Sequence, residues 1–343
     1  MTEVSLKTEF HPSPYLGTFS IVALDPELGE IGLAVASRAF DSGYYVAFLK
    51  PGVGGVASQA SVNANLGGWI LQALEAGSTP TEALEAALAR DEGAPQRQVG
   101  VVDFQGRPAA HTGRGNGEWA GHLTRENVSV QGNLLAGSGV IEAMLETYQA
   151  ASGPLAGRLM LALEAGEAAG GDRRGKQSAA LIVRRAGGGF GGVDDRLVDL
   201  RITDHADPLP ELRRLFSLWQ YQVMLPSYAR LADEQPELAE RLHRHMHGFL
   251  QAALPDAFDD ANLYNNLAWF LAQRKLFPAE SLQAARRAAE LAPDDSNVLD
   301  TLAEAHFAAG DTSQAVHWIE RALELSPESD YLKGQLARFR AEE

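Results

Sequence analysis

The stretch TFSIVALDPELGEIGLAVAS, residues 18–37, decides how the first half of the chain is read. Residues 18–25 and 31–39 are runs of β-branched and small apolar residues, and the intervening PELGE has the composition of a hairpin turn. Strands joined this closely pair antiparallel, because a parallel pair needs a crossover of roughly a dozen residues. Outward from the hairpin, YYVAFL (44–49) and GVASQASV (55–62) continue the strand pattern across the turn KPGVGG. On the other side, residues 1–17 read as a leader or flexible arm that ends in Pro12, Pro14 and Gly17.

Helical spacing begins after Asn63. Residues 65–76 and 80–90 are predicted as two short helices. Gly77 closes the first, and Thr79, Pro80 and Glu82 supply the N-cap, the first-turn proline and the first-turn acid of the second. Strands return at 98–104 and 108–112, joined by QGR, and again at 128–131. Helices are expected at 138–150 and 154–169. Strands follow at 178–186 and 196–204, with GGGFGG (187–192) as a turn. Strands, two helices, strands, two helices and strands is not an alternating β-α-β order. It suits an α+β fold in which two sheets pack face to face with helices outside, a four-layer αββα sandwich.

From about Pro210 the pattern becomes helical, so the predicted division is 18–210 for the α+β domain, 211–260 for a helical connector and 261–343 for an all-α repeat domain. The repetition is visible directly. AARRAAELAPDD (284–295) matches WIERALELSPES (318–329) at a shift of 34, and NLAWFLA (266–272) matches TLAEAHF (301–307) at a shift of 35, so one residue is inserted in the first repeat. The period resembles the tetratricopeptide repeat, in which small residues let two helices cross closely. Leu302, Ala303, Gly310, Ala315, Ile319, Ala322 and Pro327 stand at the expected places, whereas Ser281 stands where the pattern wants Ala. DYLKGQLARFRAEE reads as a capping helix.

Composition narrows the chemistry. The 343 residues contain no Cys, which excludes disulfides and thiolate catalysis. A net charge of −16 disfavours nucleic acid and anionic membrane as partners. No apolar run approaches the roughly 18 residues of a membrane span, and MTEVSLKTEFHPSP lacks the features of a signal peptide, so a cytoplasmic location is expected. Residues 170–177 nearly form a phosphate-binding loop, but Gln177 replaces the Ser or Thr that would hold Mg²⁺. His243, His245 and His247 read as a solvated helix face, and neither a metal nor a cofactor is expected.

Residues 18–215, about the first 60% of the chain, resemble the family known as domain of unknown function 1028, a group placed among Ntn-hydrolase-like proteins. The resemblance rests on TFSIVALDPELGEIGLAVAS (18–37), GVGGVASQASVN (52–63), AAHTG (109–113), WAGHLTRENVSVQGNLLAG (119–137), AAGGDRRGKQSAALIV (168–183) and DLRITDHADPLPELRRLF (199–216). It implies the αββα fold and directs attention to Thr18, the first residue of the first strand. In Ntn hydrolases the α-amine of such a residue, with a pKa of about 8, acts as base for its own hydroxyl. Here that requires cleavage of the Gly17–Thr18 bond. The fold could bring Ser37, Gln59, Asn63, His111, Asn133, Asp172 and Gln177 around Thr18. Asn133 could donate to an oxyanion, and Asp172, Arg173, Arg174 and Lys176 could bind a carboxylate. Structural roles stand beside these: Asn133 in a turn, Asp172 paired with an adjacent Arg, His111 hydrogen-bonded in the core.

Two functions follow. One is an amidohydrolase acting on a small amide or peptide through Thr18. The other is a non-catalytic binding or scaffold protein. Both leave the repeats two roles, a surface for a peptide or protein partner or a structural one that only dimerises the chain or caps the α+β domain, and both expect a homo-oligomer.

Overall fold

A computed structural model describes residues 17–253 and 258–342. The leader assigned to residues 1–17 therefore lies, apart from Gly17, outside the described residues. The chain forms two compact units that divide between Trp219 and Gln220.

The first unit is mixed α/β. Its elements are β1 (Thr18–Asp25), β2 (Glu30–Ser37), α1 (Ser42–Val46), β3 (Ala47–Lys50), β4 (Gly54–Ala60), α2 (Ala64–Glu75), α3 (Pro80–Leu88), β5 (Arg97–Asp103), β6 (Pro108–Thr112), β7 (Gly121–Arg125), β8 (Val128–Asn133), α4 (Gly139–Ala150), α5 (Leu155–Ala168), β9 (Ser178–Arg185), β10 (Arg196–Ile202) and α6 (Pro208–Trp219). The strands form a six-stranded sheet, β10-β9-β2-β1-β8-β7, and a four-stranded sheet, β3-β4-β5-β6. The pairs within both sheets are antiparallel.

Two elements differ from the sequence reading. YYVAFL is not one strand: the turn begins at Asp41 with φ 45°, Ser42–Val46 coil into a short helix, and pairing with β4 starts only at Ala47. β7 was not predicted, because its GHLTR residues are half-buried or exposed at a sheet edge and lack an apolar run.

β1 lies between β2 and β8, and every one of its residues is buried. Its two faces meet different partners, as strand alternation requires. Val22 and Leu24 join Ile31, Leu33, Val35, Ala57 and Val102 in an apolar cluster, so this face meets β4 and β5 of the smaller sheet. On the other side of the six-stranded sheet α5 contacts β1, β2 and β9, and α4 contacts β7 and β8. Gly32 permits this approach, since a Cβ there would stand 2.6 Å from Leu159 Cδ1. The smaller sheet carries α2 and α3, which bury Leu66, Ile70, Ala83, Leu84 and Ala87 against Val56, Val99 and Val101. The predicted start of α3 is present as a full capping box between Thr79 and Glu82. α6 packs on β9 and β10.

The second unit is helical: α7 (Leu225–Glu234), α8 (Pro236–Ala253), α9 (Ala261–Gln273), α10 (Pro278–Leu291), α11 (Ser296–Ala308), α12 (Thr312–Leu325) and α13 (Asp330–Ala341). From α9 onward each helix packs on the next, and α9 also contacts α11. Asp260, Asp295, Asp311 and Ser329 cap α9, α11, α12 and α13. Ala268, Ala284, Ala288, Ala303, Ala315 and Ala322 are fully buried where the helices cross. Ser281 fits the same seam because its hydroxyl donates to the Ala268 carbonyl at 3.0 Å. His247 of the H-x-H-x-H run stacks on Phe277 and bonds to Glu280 Oε1 at 2.7 Å. Among the described residues, no helix is long and apolar enough to cross a membrane.

Candidate functional site

The antiparallel register brings residues far apart in sequence to one end of β1. Thr18 pairs with Ser37 on one side and with Asn133 on the other. Thr18 is 1% exposed. Its Oγ1 donates to Ser37 Oγ at 3.1 Å, and Ser37 Oγ donates to the Gly17 carbonyl at 2.5 Å. A second donor, Arg174 Nη2, reaches the same carbonyl at 2.8 Å. The carbonyl of the Gly17–Thr18 peptide thus lies between a hydroxyl and a guanidinium. The hydroxyl of Thr18 is one hydrogen bond behind the first of these donors.

Arg174 is held in place by Asp172. The carboxylate accepts from the Arg174 backbone and Nε at 3.0 Å each, from Arg174 Nη2 at 2.7 Å, and from the backbone of Arg38 at 3.0 Å. Asp172 is buried and Arg174 partly so, which strengthens a charge-assisted fork of this kind. An isolated bridge between Leu135 and Asp172 ties their loop to the end of β8. Leu134 between them adopts φ 54°, a left-handed conformation disfavoured for a side chain of this size. Hydrogen bonds from its N–H to Gly117 and from Arg173 N–H to its carbonyl hold it there.

Behind Thr18 the space between the sheets contains a closed carboxamide network. Gln59 Nε2 donates to the Thr18 carbonyl at 3.3 Å and to Gln98 Oε1 at 2.9 Å. Gln98 Oε1 also accepts from Asn133 Nδ2 at 2.8 Å, and Gln98 Nε2 donates to Thr112 Oγ1 and to the carbonyls of Gly121 and Gly132. Ser20 and Gln131 complete it: Ser20 Oγ donates to Gln59 Oε1, and Gln131 Nε2 donates to Ser20 Oγ, both at 2.7 Å. Such a network fixes the backbone of β1 without presenting a charge to the interior.

The sequence-selected residues separate accordingly. Thr18, Ser37, Gln59, Asn133 and Asp172 converge at this end of β1. Gln177 supports it, with its N–H on the Ser37 carbonyl and its side chain between Arg38 and Asp204. Asn63 caps α2 through Asn65 N–H. His111 bonds to the Ala94 carbonyl at 3.0 Å and pairs with Val99 in the smaller sheet. Lys176 is engaged by Asp207 and Glu167, whose hydrogen bonds raise its pKa. Arg173 is exposed and contributes its backbone N–H to Leu134. Gln98, Leu134 and Arg38 were not singled out by sequence. The available signal for Gln98 was a carboxamide opening an otherwise apolar strand, VGVVDF.

Residues 18–212 match a family described as a family of unknown function, DUF1028. The chain belongs to this family. It is also similar to the crystal structure of protein SPO2555 from Silicibacter pomeroyi, described as a DUF1028 protein. The two are 35% identical with a TM-score of 0.53, and the match covers 58% of this chain and 88% of that one. No curated protein matches. The DUF1028 span opens on Thr18 and ends within α6, so it takes in the whole cluster around the Gly17 carbonyl except Gly17 itself.

Proposed function

We propose that the first unit is an Ntn-type amidohydrolase built as a four-layer αββα sandwich, with Thr18 as nucleophile. The observation that carries this reading is the relay from Thr18 Oγ1 through Ser37 Oγ to the Gly17 carbonyl, with Arg174 as second donor. Attack of Thr18 Oγ1 on the Gly17 carbonyl carbon places negative charge on the oxygen that these two groups already hold. Ser37 is positioned to accept the Thr18 proton as it gives its own to that oxygen. The Gly17–Thr18 C–N bond then breaks as its nitrogen takes up the proton passed to that oxygen, leaving Gly17 as an ester on Oγ1 and freeing the α-amine of Thr18. Water cleaves the ester and restores the hydroxyl. The free amine then serves as base toward a small amide or peptide substrate. The start of the family span at Thr18 supports the same division of the chain.

The burial of Thr18 beneath Gly17 favours a rival reading, in which this end of β1 is a packed structural corner of a binding or scaffold protein. Intact-mass measurement separates the two. The hydrolase reading expects a mature chain beginning at Thr18, and expects Thr18→Ala to retain the leader and lose hydrolysis. A competently folded wild-type chain with residues 1–17 still attached rules the hydrolase out. For the second unit, the 34-residue period and the small residues at its helix crossings support a tetratricopeptide-like pair that holds a peptide or protein partner.

A further inference from the structure

Gly17 is confined on the side where an L-residue carries its Cβ. An atom there would lie 2.7 Å from Arg174 Nη2, 2.9 Å from Arg174 Nε and 2.8 Å from Leu134 Cβ. Neither wall yields easily. Arg174 is held by Asp172 and by the carbonyl itself, and Leu134 Cβ is fixed to a backbone clamped at both its N–H and its carbonyl. The confinement therefore bears on any acyl group seated at this carbonyl, including one that arrives from a substrate.

Resting on the Thr18 reading, we infer that the site selects acyl groups unsubstituted at the α-carbon, so that its substrates are glycyl or acetyl amides. The chemistry links leader to substrate. The ester formed when Thr18 Oγ1 captures Gly17 is an acyl-enzyme whose acyl group ends in glycine, with the leader on the glycine nitrogen. A glycyl amide gives an ester with the same unsubstituted α-carbon when Oγ1 attacks its carbonyl carbon, its C–N bond breaks and the departing amine takes a proton. Both esters are resolved by water into a carboxylic acid and the free hydroxyl. Both place the acyl α-carbon between Arg174 and Leu134. An alanyl group brings its methyl into the guanidinium and the Leu134 Cβ, at separations that non-bonded carbon does not sustain.

The test follows leader release by intact mass in full-length chains synthesised in vitro. It then compares hydrolysis of glycyl, acetyl and L-alanyl 4-nitroanilides by the released protein. Gly17→Ala is expected to slow release at least ten-fold, and the alanyl anilide to react at least ten-fold more slowly than the glycyl one. Leu134→Gly removes one wall and suits the positive φ. It is expected to narrow both differences and thereby to separate confinement from misfolding. Equal release by wild type and Gly17→Ala, or equal rates on glycyl and alanyl anilides, overturns the selectivity and leaves Thr18 as nucleophile. A wild-type chain that neither releases its leader nor cleaves any of the three anilides overturns both.

Discussion

Gln98 holds the interior of the first unit together at the scale of a single side chain. Its carboxamide oxygen accepts from Gln59 and Asn133, and its nitrogen serves Thr112 and the carbonyls of Gly121 and Gly132. Replacement by Leu keeps the approximate volume and strands several buried polar groups at once. Each unsatisfied group costs about 1–3 kcal/mol. Gln98→Leu is therefore expected to lower stability by at least roughly 3 kcal/mol in urea unfolding and, under the proposed Thr18 chemistry, to slow leader release by loosening Asn133 and the Thr18 carbonyl. Unchanged stability would mean that water or neighbouring groups repair the network. The sequence drew attention to Asn133 and Gln59 but not to Gln98, which pairs with Gln59 in the smaller sheet and reaches across to Asn133 in the larger one. Among three neighbouring cations it could not choose either. Arg173, Arg174 and Lys176 look interchangeable in the chain, yet only Arg174, held by Asp172, reaches the Gly17 carbonyl, 157 residues away.

At the scale of elements, legibility follows the range of the contacts. The β1–β2 hairpin and the capping box of α3 are written in adjacent residues, and both are present. The seam between α9 and α10 is equally local. Ser281 departs from the small apolar residue expected there, and its bond to the Ala268 carbonyl explains why the departure is tolerated. Ser281→Ala is expected to change stability by no more than about 1 kcal/mol, because the hydrogen bond lost is offset by easier burial. Ile319→Ala, which opens space between α11, α12 and α13, is expected to cost about 2–4 kcal/mol. Calorimetry on the two variants checks the contrast, and similar losses from both would contradict the packing described. β7 and α1 escaped prediction for the opposite reason. An edge strand buries little on its own account, and a five-residue helix owes its form to neighbours, since Asp41 and Ser42 are tied to Thr203 and Ser178.

For the whole molecule, pH acts through a carboxyl group that the apolar periodicity of the repeats conceals. Asp300 of α11 is 3% exposed. Burial pushes its pKa up to about 6, aided by Glu304 and opposed by Tyr331, Arg338 and Gln335. A raised pKa means that the folded chain holds a proton the unfolded chain has released above about pH 4. This contribution is complete below that value and is lost as pH rises through about 6. Asp300→Asn stays neutral throughout. It is expected to match wild type near pH 4 and to exceed it by about 1–3 kcal/mol at pH 7 in denaturant unfolding. A constant difference across that range would place the titration elsewhere.

By itself the sequence determined the features that need only near neighbours. These are the hairpin at 18–37, the grouping of strands with helix pairs, the change to helices after Pro210 and the 34-residue period with its inserted residue. Each rests on periodicity, capping or turn chemistry, which act over a few residues. Only the tertiary structure decided which side chains meet at Thr18. It joins Gly17, Ser37, Gln59, Gln98, Asn133 and Arg174 through strand register and loop closure between residues as much as 157 positions apart. A one-residue change of register would turn each strand's side chains to the opposite face; the hairpin turn fixes that choice for β1 against β2, but no turn fixes it for β1 against β8, which lie far apart in the chain.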